Sequence, residues 1–439
     1  MRVLYWFRDD LRVYDNPGLH EAAKRADEVV PVYVLEERWL TKDRWGFQRT
    51  GPWRLKFLLE SLEDLSVQLE KLGSGLLVVR GLAEKVVPDL ASQYGCEAVI
   101  AAHSYTTEEI KMERAINAQV PLELFHSSTL IHPDDAPFTP DEVPEVFTEF
   151  RKKVERYSKV REPRSAPKQI TGPQLQKTEL PDMAELLGLP VPPHDKRAVM
   201  RFRGGTAAGY DRLDHYYWNT DAVQTYKETR NGLIGADYST KFSPWLANGS
   251  LSPRVVYWDL EDYEKERRKN QSTYWVKFEL FWRDYFKFIA MKHGSKLFQQ
   301  GGILQRTKKW RNNPGNFRKW ALGQTGDRFV DANMQELLYT GFMSNRGRQN
   351  VASFLVHRYR EDWRKGAAWF ESLLVDYDPA SNYGNWAYNS GVGNDPRDRV
   401  FNTELQASRY DGNGAYRALW LDRDPMVKGE EMASFIASL

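Results

Sequence analysis

A single cysteine, Cys96, stands in a chain of 439 residues, so the chain can form no internal disulfide, cysteine zinc site or protein-ligated iron–sulfur cluster. The eight histidines are scattered and include no HExxH pair, and no metal centre is expected. No apolar run approaches the roughly 18 residues that cross a bilayer, and the mean hydropathy is −0.63. Membrane spanning is thereby excluded, and at 41% hydrophobic residues so is disorder over most of the length. The N-terminus, MRVLYWFRDD, has neither a secretory apolar segment nor an Arg- and Ser-rich transit segment, which points to the cytoplasm. No GxGxxG, GxxxxGKS or GxxxxGKT follows a strand pattern, so a standard dinucleotide or triphosphate cradle is lacking too.

Aromatic residues are abundant instead. The 15 Trp, 22 Tyr and 21 Phe make up 13% of the chain, more than packing usually requires, which brings base stacking and electron transfer into view. The net formal charge of +2 hides an asymmetry: residues 1–194 carry 25 basic against 31 acidic side chains, and residues 195–439 carry 37 against 29. A basic half that also holds most of the tryptophans suggests contact with nucleic acid.

The first segment alternates strand and helix signals: VLYWF (3–7), a helix near 17–27, VVPVYVL (29–35), a long helix, LLVVR (76–80), another helix, then AVIA (98–101). That order predicts a parallel sheet with covering helices, an α/β domain over 1–130. In the long helix Leu55, Leu58, Leu59, Leu62, Leu65, Leu69 and Leu72 keep helical spacing, and Gly73 stops it. Residues 131–194 hold 11 of the 22 prolines, in clusters such as HPDDAPFTPDEVP. Such density predicts a surface connector without regular structure over 131–199. From residue 200 to 439 helical periodicity dominates and an all-α domain is expected.

Four segments of the second half could carry chemistry. Ser239, Thr240, Lys241 and Ser243 put hydroxyls and an ammonium ahead of a Pro-Trp helix start, which suits a pyrophosphate, although a capped loop has the same composition. Glu279, Trp282 and Arg283 share one helical face, where an aromatic surface beside a carboxylate and a guanidinium can stack on a base and bond its edge; a core Trp beside an exposed ion pair is the plainer reading. Between Asp284 and Asp327 nine basic residues, with Trp310 and Trp320 among them, meet no acidic one, which favours phosphate contact over a merely solvated face. In DYDPASNYGNWAYNSGVGNDPR, Asp376, Asp378 and Asn382 could bond the edge of a heteroaromatic ring, or simply cap local turns.

With WFRDDLRVYDNPGL at the N-terminus, RNGLIGADYSTKFSPWLANGSLSPR, FELFWRDYF and VDYDPASNYGNWAYNSGVGNDPR, the chain resembles the photolyase/cryptochrome family over its whole length, and most closely the cryptochrome-DASH branch. The resemblance implies an N-terminal α/β domain and a C-terminal helical domain holding FAD. By motif, Tyr226, Ser239, Thr240, Lys241, Phe242 and Ser243 are similar to the flavin's phosphate and ribityl contacts. Arg283, Arg348, Asp376, Asp378 and Asn382 resemble residues around its rings. Asn382 matches the position facing flavin N5, where photolyases have a neutral amide and plant photoreceptor cryptochromes an aspartate, which tilts the reading toward repair. Arg230, Glu279, Trp282, Asn345, Arg346, Gln349 and Tyr388 resemble the lesion pocket.

The (6-4) branch has histidines at the positions matching Asn345 and Gln349, so a cyclobutane pyrimidine dimer is the implied substrate and deoxyribodipyrimidine photo-lyase the implied activity. Classical dimer photolyases usually have Trp where Tyr388 stands and Met where Gln349 stands; the weaker stacking implies a preference for single-stranded or looped DNA. Glu279 and Asn345 would stabilise the dimer radical anion, and Trp386, Trp363 and Trp310 match the family's electron-transfer triad, with Trp320 a branch. Members that bind a methenyltetrahydrofolate antenna usually have a glutamate near the place of Tyr105 in HSYTTEEIKME, so a folate antenna requires Glu108 or Glu109 to substitute. RNA as a second partner stays open, a monomer is expected, and a blue-light signalling cryptochrome and a dark flavin electron carrier are the rival functions.

Overall fold

The computed structural model describes residues 1–175, 179–189, 191–395 and 399–422; residues 176–178 and 190 of the Pro-rich connector and Pro396 and Arg397 of the last motif lie outside them. Strands β1 (Arg2–Phe7), β2 (Glu28–Glu36), β3 (Leu77–Gly81), β4 (Ala98–Ala102) and β5 (Leu122–Phe125) form one parallel sheet in the order β3-β2-β1-β4-β5. β1 is central: Val3 pairs with Val29 on one side and Ala98 on the other. Val3 to Phe7 are all buried, as expected of a strand covered on both faces. The edge strand β5, LELF, was not foreseen; its four residues are only half-buried, too weak a pattern to read.

Helices α1 (Pro17–Arg25), α2 (Pro52–Lys71), α3 (Ala83–Gln93) and α4 (Thr107–Asn117) cover the sheet. α2 buries Leu55, Leu62, Leu65 and Leu69, and the chain turns away at Gly73, whose φ of 85° a side chain would resist. Strand order reverses at β1, which opens a crevice between the loops that follow β1 and β4.

The connector departs from expectation. Helix α5 (Phe147–Tyr157) lies inside it and buries Phe147, Phe150 and Val154, because the prolines flank this stretch and none falls within it. Nor does the connector merely lie on the surface: Leu130 and Ile131 donate their backbone N–H groups to the buried carboxylate of Asp284, at 2.9 and 2.7 Å.

The remainder is helical: α6 (Met183–Leu187), α7 (Thr206–Asp214), α8 (Tyr226–Thr229), α9 (Ser243–Asn248), α10 (Pro253–Glu266), α11 (Gln271–His293), α12 (Pro314–Ala321), α13 (Arg328–Thr340), α14 (Asn345–Ser353), α15 (Trp363–Leu373), α16 (Pro379–Asn389), α17 (Thr403–Tyr410) and α18 (Ala415–Leu421). α11 is the axis of this part. Asn270 caps it by accepting from Thr273 N, and it buries residues on nearly every side from Val276 to Ala290, as a helix inside a core must.

A buried ionic network joins the two parts. Asp15, in the β1–α1 loop, accepts from Arg254 Nε and Nη2 at the start of α10, from Ser252 Oγ and from Arg164 N. Arg12 reaches across to the carbonyls of Gly249 and Ser127 at 2.7 and 2.9 Å. Asp15→Asn keeps a residue type that tolerates the left-handed backbone there (φ 52°) while removing the charge. It should cost on the order of 3 kcal/mol, the scale of breaking a buried pair. The check is a lowered thermal unfolding midpoint.

Candidate cofactor and substrate cavity

A cavity of about 530 Å³ opens in the helical part, a size suited to a small-molecule site. Its wall comes from α8, the loop into α9, α11, α14 and α16. Every residue named above as cofactor- or substrate-binding lines it, as does Trp386. Trp363 and Trp310 lie outside it, in the apolar cluster behind Trp386.

Each wall segment is fixed by its own local chemistry. Ser243 opens α9 with Pro244 in the first turn, and its hydroxyl donates to Asp376 Oδ2 at 2.7 Å. Arg348 of α14 donates to both oxygens of the same carboxylate, at 3.0 and 2.8 Å, so Asp376 ties α9 to α14. Asp378 caps α16 by accepting from Ser381 N at 2.7 Å and pairs with Lys287 of α11 at 2.9 Å. Burial opposes its charge, but Lys287 and Arg283 outweigh burial and hold the carboxyl well below the usual carboxylate range. One turn on, the Asn382 amide donates to the carbonyl of Ala367 at 3.0 Å, which leaves its oxygen as the group available to the cavity.

On the opposite side Glu279 pairs with Arg230 at 2.5 Å, not with Arg283 one turn along its helix. Arg283 instead donates to the carbonyls of Leu246, at 2.8 Å, and Ser128, because α11 runs beside both segments there. Burial in the wall raises the pKa of Glu279, and Arg230 only partly offsets it. Trp282 is both core and cavity wall: its ring stacks on Phe147 at 3.7 Å and meets Tyr388 edge-on at 5.8 Å. Arg346 donates to Gln349 Oε1 and Asn231 Oδ1, both at 2.9 Å. The ring of Trp386 lies 5.1 Å from Phe370 and 6.1 Å edge-on from the fully buried Trp320, which makes Trp320 a direct ring neighbour of Trp386.

The basic stretch after Asp284 is partly spent inward. Lys287 pairs with Asp378 and Lys292 with Glu145, while Arg306 and Lys308 donate to the carbonyls of Gly391 and Ser390 and brace the turn after α16. Lys309, Arg311, Arg318 and Lys319 remain exposed.

The polar groups facing the cavity ask for a ligand. Lys241 is buried, with its ammonium 3.0 Å above the Tyr238 ring and bonded to Ser239 Oγ at 2.9 Å. Burial, reinforced by the like charge of Arg212, pushes its pKa well down, so an anion would relieve it. The Tyr238 hydroxyl and Asn389 Oδ1 also line the cavity, buried and without a hydrogen-bond partner among the described residues.

The crevice at the sheet's reversal point is nearly filled. A space of about 20 Å³, roughly one water, is left between Arg8 and Asp9 after β1, His103 and Tyr105 after β4, and Lys287 and Asp378. Tyr105 bonds His126 Nδ1 at 2.9 Å and stacks with His103. Glu108 is held by both ends of the Arg49 guanidinium, at 2.9 and 2.8 Å, and Glu109 by Thr106. Glu108 and Glu109, either of which would have to stand in for the missing glutamate of a folate site, are thus both engaged within the chain.

The DNA photolyase family profile matches residues 3–168, and that of the FAD binding domain of DNA photolyase matches residues 275–434. The chain is 49% identical to the cryptochrome DASH of Gloeobacter violaceus, covering 95% of this chain and 85% of that protein. It is 46% identical to the cryptochrome DASH of Danio rerio, covering 98% and 85%. The chain belongs to the cryptochrome DASH branch of the photolyase family. Among solved structures, the Synechocystis cryptochrome superposes with a TM-score of 0.92 at 46% identity, covering 96% of this chain and 88% of that one. A class III photolyase from Agrobacterium tumefaciens reaches 0.82 at 29% identity, covering 96% and 86%.

The chain carries the FAD-binding domain, and the groups lining the cavity suit FAD: Lys241 and the hydroxyls of Ser239, Thr240 and Ser243 would face the diphosphate and ribityl chain, and Asp376, Asp378 and Asn382 would face the ring edge. Tyr238 and Arg399 also line it and were not singled out from the sequence. Tyr238 sits within the same GADYSTKFS motif and could have been found; Arg399 has no motif of its own. No helix among the described residues is long and apolar enough to cross a membrane. Asp376→Asn breaks the tie between α9 and α14 and should lower FAD occupancy of the purified protein several-fold, since a hydrogen bond to a charged group is worth about 1.5–3 kcal/mol. The ratio of flavin to protein absorbance reads this out, with helical circular dichroism unchanged.

Proposed function

We propose that this protein is a light-driven lyase of cyclobutane pyrimidine dimers that acts preferentially on single-stranded or looped DNA. The observation that carries the reading is the composition of one wall of the cavity. Trp282 and Tyr388 form an aromatic corner beside the Glu279–Arg230 pair and Gln349, and the cavity they line is also lined by Asn382. Held by these residues, a reduced FAD would supply the light-driven one-electron chemistry that dimer splitting needs, with no net change in its oxidation state.

The chain's own residues do the rest. Trp282 and Tyr388 stack on the flipped pyrimidines. The Glu279–Arg230 pair and Asn345 hydrogen-bond the dimer where negative charge develops, with the Arg230 guanidinium as the charged donor. Asn382 offers an acceptor at the ring edge and has no proton to give up readily, so it preserves the reduced anionic cofactor. The exposed Lys309, Arg311, Arg318 and Lys319 would contact backbone phosphates.

Flipping a base from a duplex costs a few kcal/mol, and stacking returns about 1–3 kcal/mol per base. A phenol at 388 and an amide at 349 return less than an indole and a thioether would, so a lesion that is already unpaired is favoured. Illuminated repair of dimers in single strands should run well above repair in duplex, with no activity on (6-4) products, since neither Asn345 nor Gln349 can serve as a histidine acid. Equal rates on both strand forms would overturn the stacking argument.

Trp386 has a separate task as the oxidisable indole in the cavity wall. Phenylalanine keeps most of its volume and is far harder to oxidise. Trp386→Phe should therefore abolish light-driven reduction of the oxidised holoprotein, measured by flash spectroscopy with a thiol donor. Repair by chemically reduced enzyme should stay largely intact, since it draws no electron from this side chain.

A further inference from the structure

The phenol of Tyr388 is not free in the cavity wall. Arg399 donates from Nη2 to its oxygen at 2.8 Å and lies over its ring, 4.8 Å from the centroid. Arg399 is in turn gripped by Asp395, whose carboxylate is almost fully buried and accepts from Arg399 Nε. Burial and the nearby carboxylate of Asp395 raise the pKa of the Tyr388 phenol and keep its proton in place. Three groups thus close on one another after the end of α16, and each fixes the next: the buried carboxylate orients the guanidinium, and the guanidinium orients the phenol. A planar fork that bonds through Nε and Nη2 to two acceptors has little freedom left. The ring it holds is the one that meets Trp282 edge-on.

We propose that Arg399 is a positioning residue for substrate: with Asp395 it locks the Tyr388 ring into the aromatic corner that receives the flipped dimer. The inference rests on the repair reading above. It also gives the phenol a purpose that an indole could not serve, because an indole offers no oxygen for this lock. What the phenol loses in stacking area it regains in a pre-set orientation, which spares ordering on binding.

The test is a double-mutant cycle in the FAD-loaded protein. Arg399→Ala should weaken binding of a dimer-containing single strand about tenfold, the low end of one hydrogen bond to a charged group. The repair yield per bound dimer and the FAD content should not change. In a Tyr388→Phe background the same substitution should add almost nothing, because the lock is already open. Arg399→Lys should restore only part of the binding. Additive effects of the two substitutions would overturn the proposal, since Arg399 would then act on the strand directly.

A second readout needs no substrate. With 3-fluorotyrosine placed at 388, the ¹⁹F resonance of the holoprotein should shift or broaden on Arg399→Ala. An unchanged resonance would overturn the lock. If the resonance responds but the unsubstituted protein neither binds nor repairs dimers, the lock stands and the repair reading falls.

Discussion

The buried carboxylate of Asp15 is the point at which the sheet half and the helical half become one molecule. It lies in the left-handed turn between β1 and α1 and gathers Arg254 and Ser252 from the start of α10 and Arg164 from the connector, while Arg12 beside it reaches Gly249 and Ser127. Buried charges are costly unless fully paired, so this network tolerates one docking geometry and penalises its neighbours. The docking is close: a Cβ at Gly249 would fall 2.1 Å from the carbonyl oxygen of Asp9. Gly249 also ends α9, the helix that Ser243 begins, so the position of the cavity's hydroxyl wall follows from the fit between the two halves.

Within the helical half the same rule is applied locally. Asp376 is neutralised by Arg348 and Asp378 by Lys287, and each pair joins elements far apart in sequence. Lys241 forms no ion pair among the described residues; its ammonium bonds Ser239 Oγ and lies over the Tyr238 ring. The site is therefore organised by which charges are satisfied internally and which are left for the cofactor. The aromatic residues follow a similar division. Trp282 and Tyr388 face the cavity, Trp386 lies in its wall, and Trp320 and Trp363 are buried behind it with no exposed surface.

Much of this was readable beforehand because chemistry and position coincide within short motifs. GADYSTKFSP sets hydroxyls and an ammonium beside a helix start, and YDPASN sets a helix cap one turn before an amide. The central strands were readable because burial on both faces makes them apolar throughout, whereas edge strand β5 was not. Proline density misjudged the connector, since prolines at its flanks say nothing about the proline-free stretch that folds into α5. Helical spacing paired Glu279 with Arg283, but an i, i+4 contact is worth only tenths of a kcal/mol on a surface and yields to a partner such as Arg230 once the face is buried.

The sequence alone determined the central strands and their covering helices, the all-α character of the second half, the family, and the groups that line the cavity, because each is encoded by residues within a few turns of one another. Tertiary structure decided which of those groups are already spent. It turned Lys287, Lys292 and Lys308 inward, tied Arg306 to the carbonyl of Gly391, closed the crevice at the sheet's reversal point around Tyr105 and His126, brought Trp320 against Trp386, and set Arg399 on Tyr388. These are contacts between segments tens or hundreds of residues apart, or across a turn with no periodicity. Their energies depend on burial and on distances that the linear order of residues does not carry.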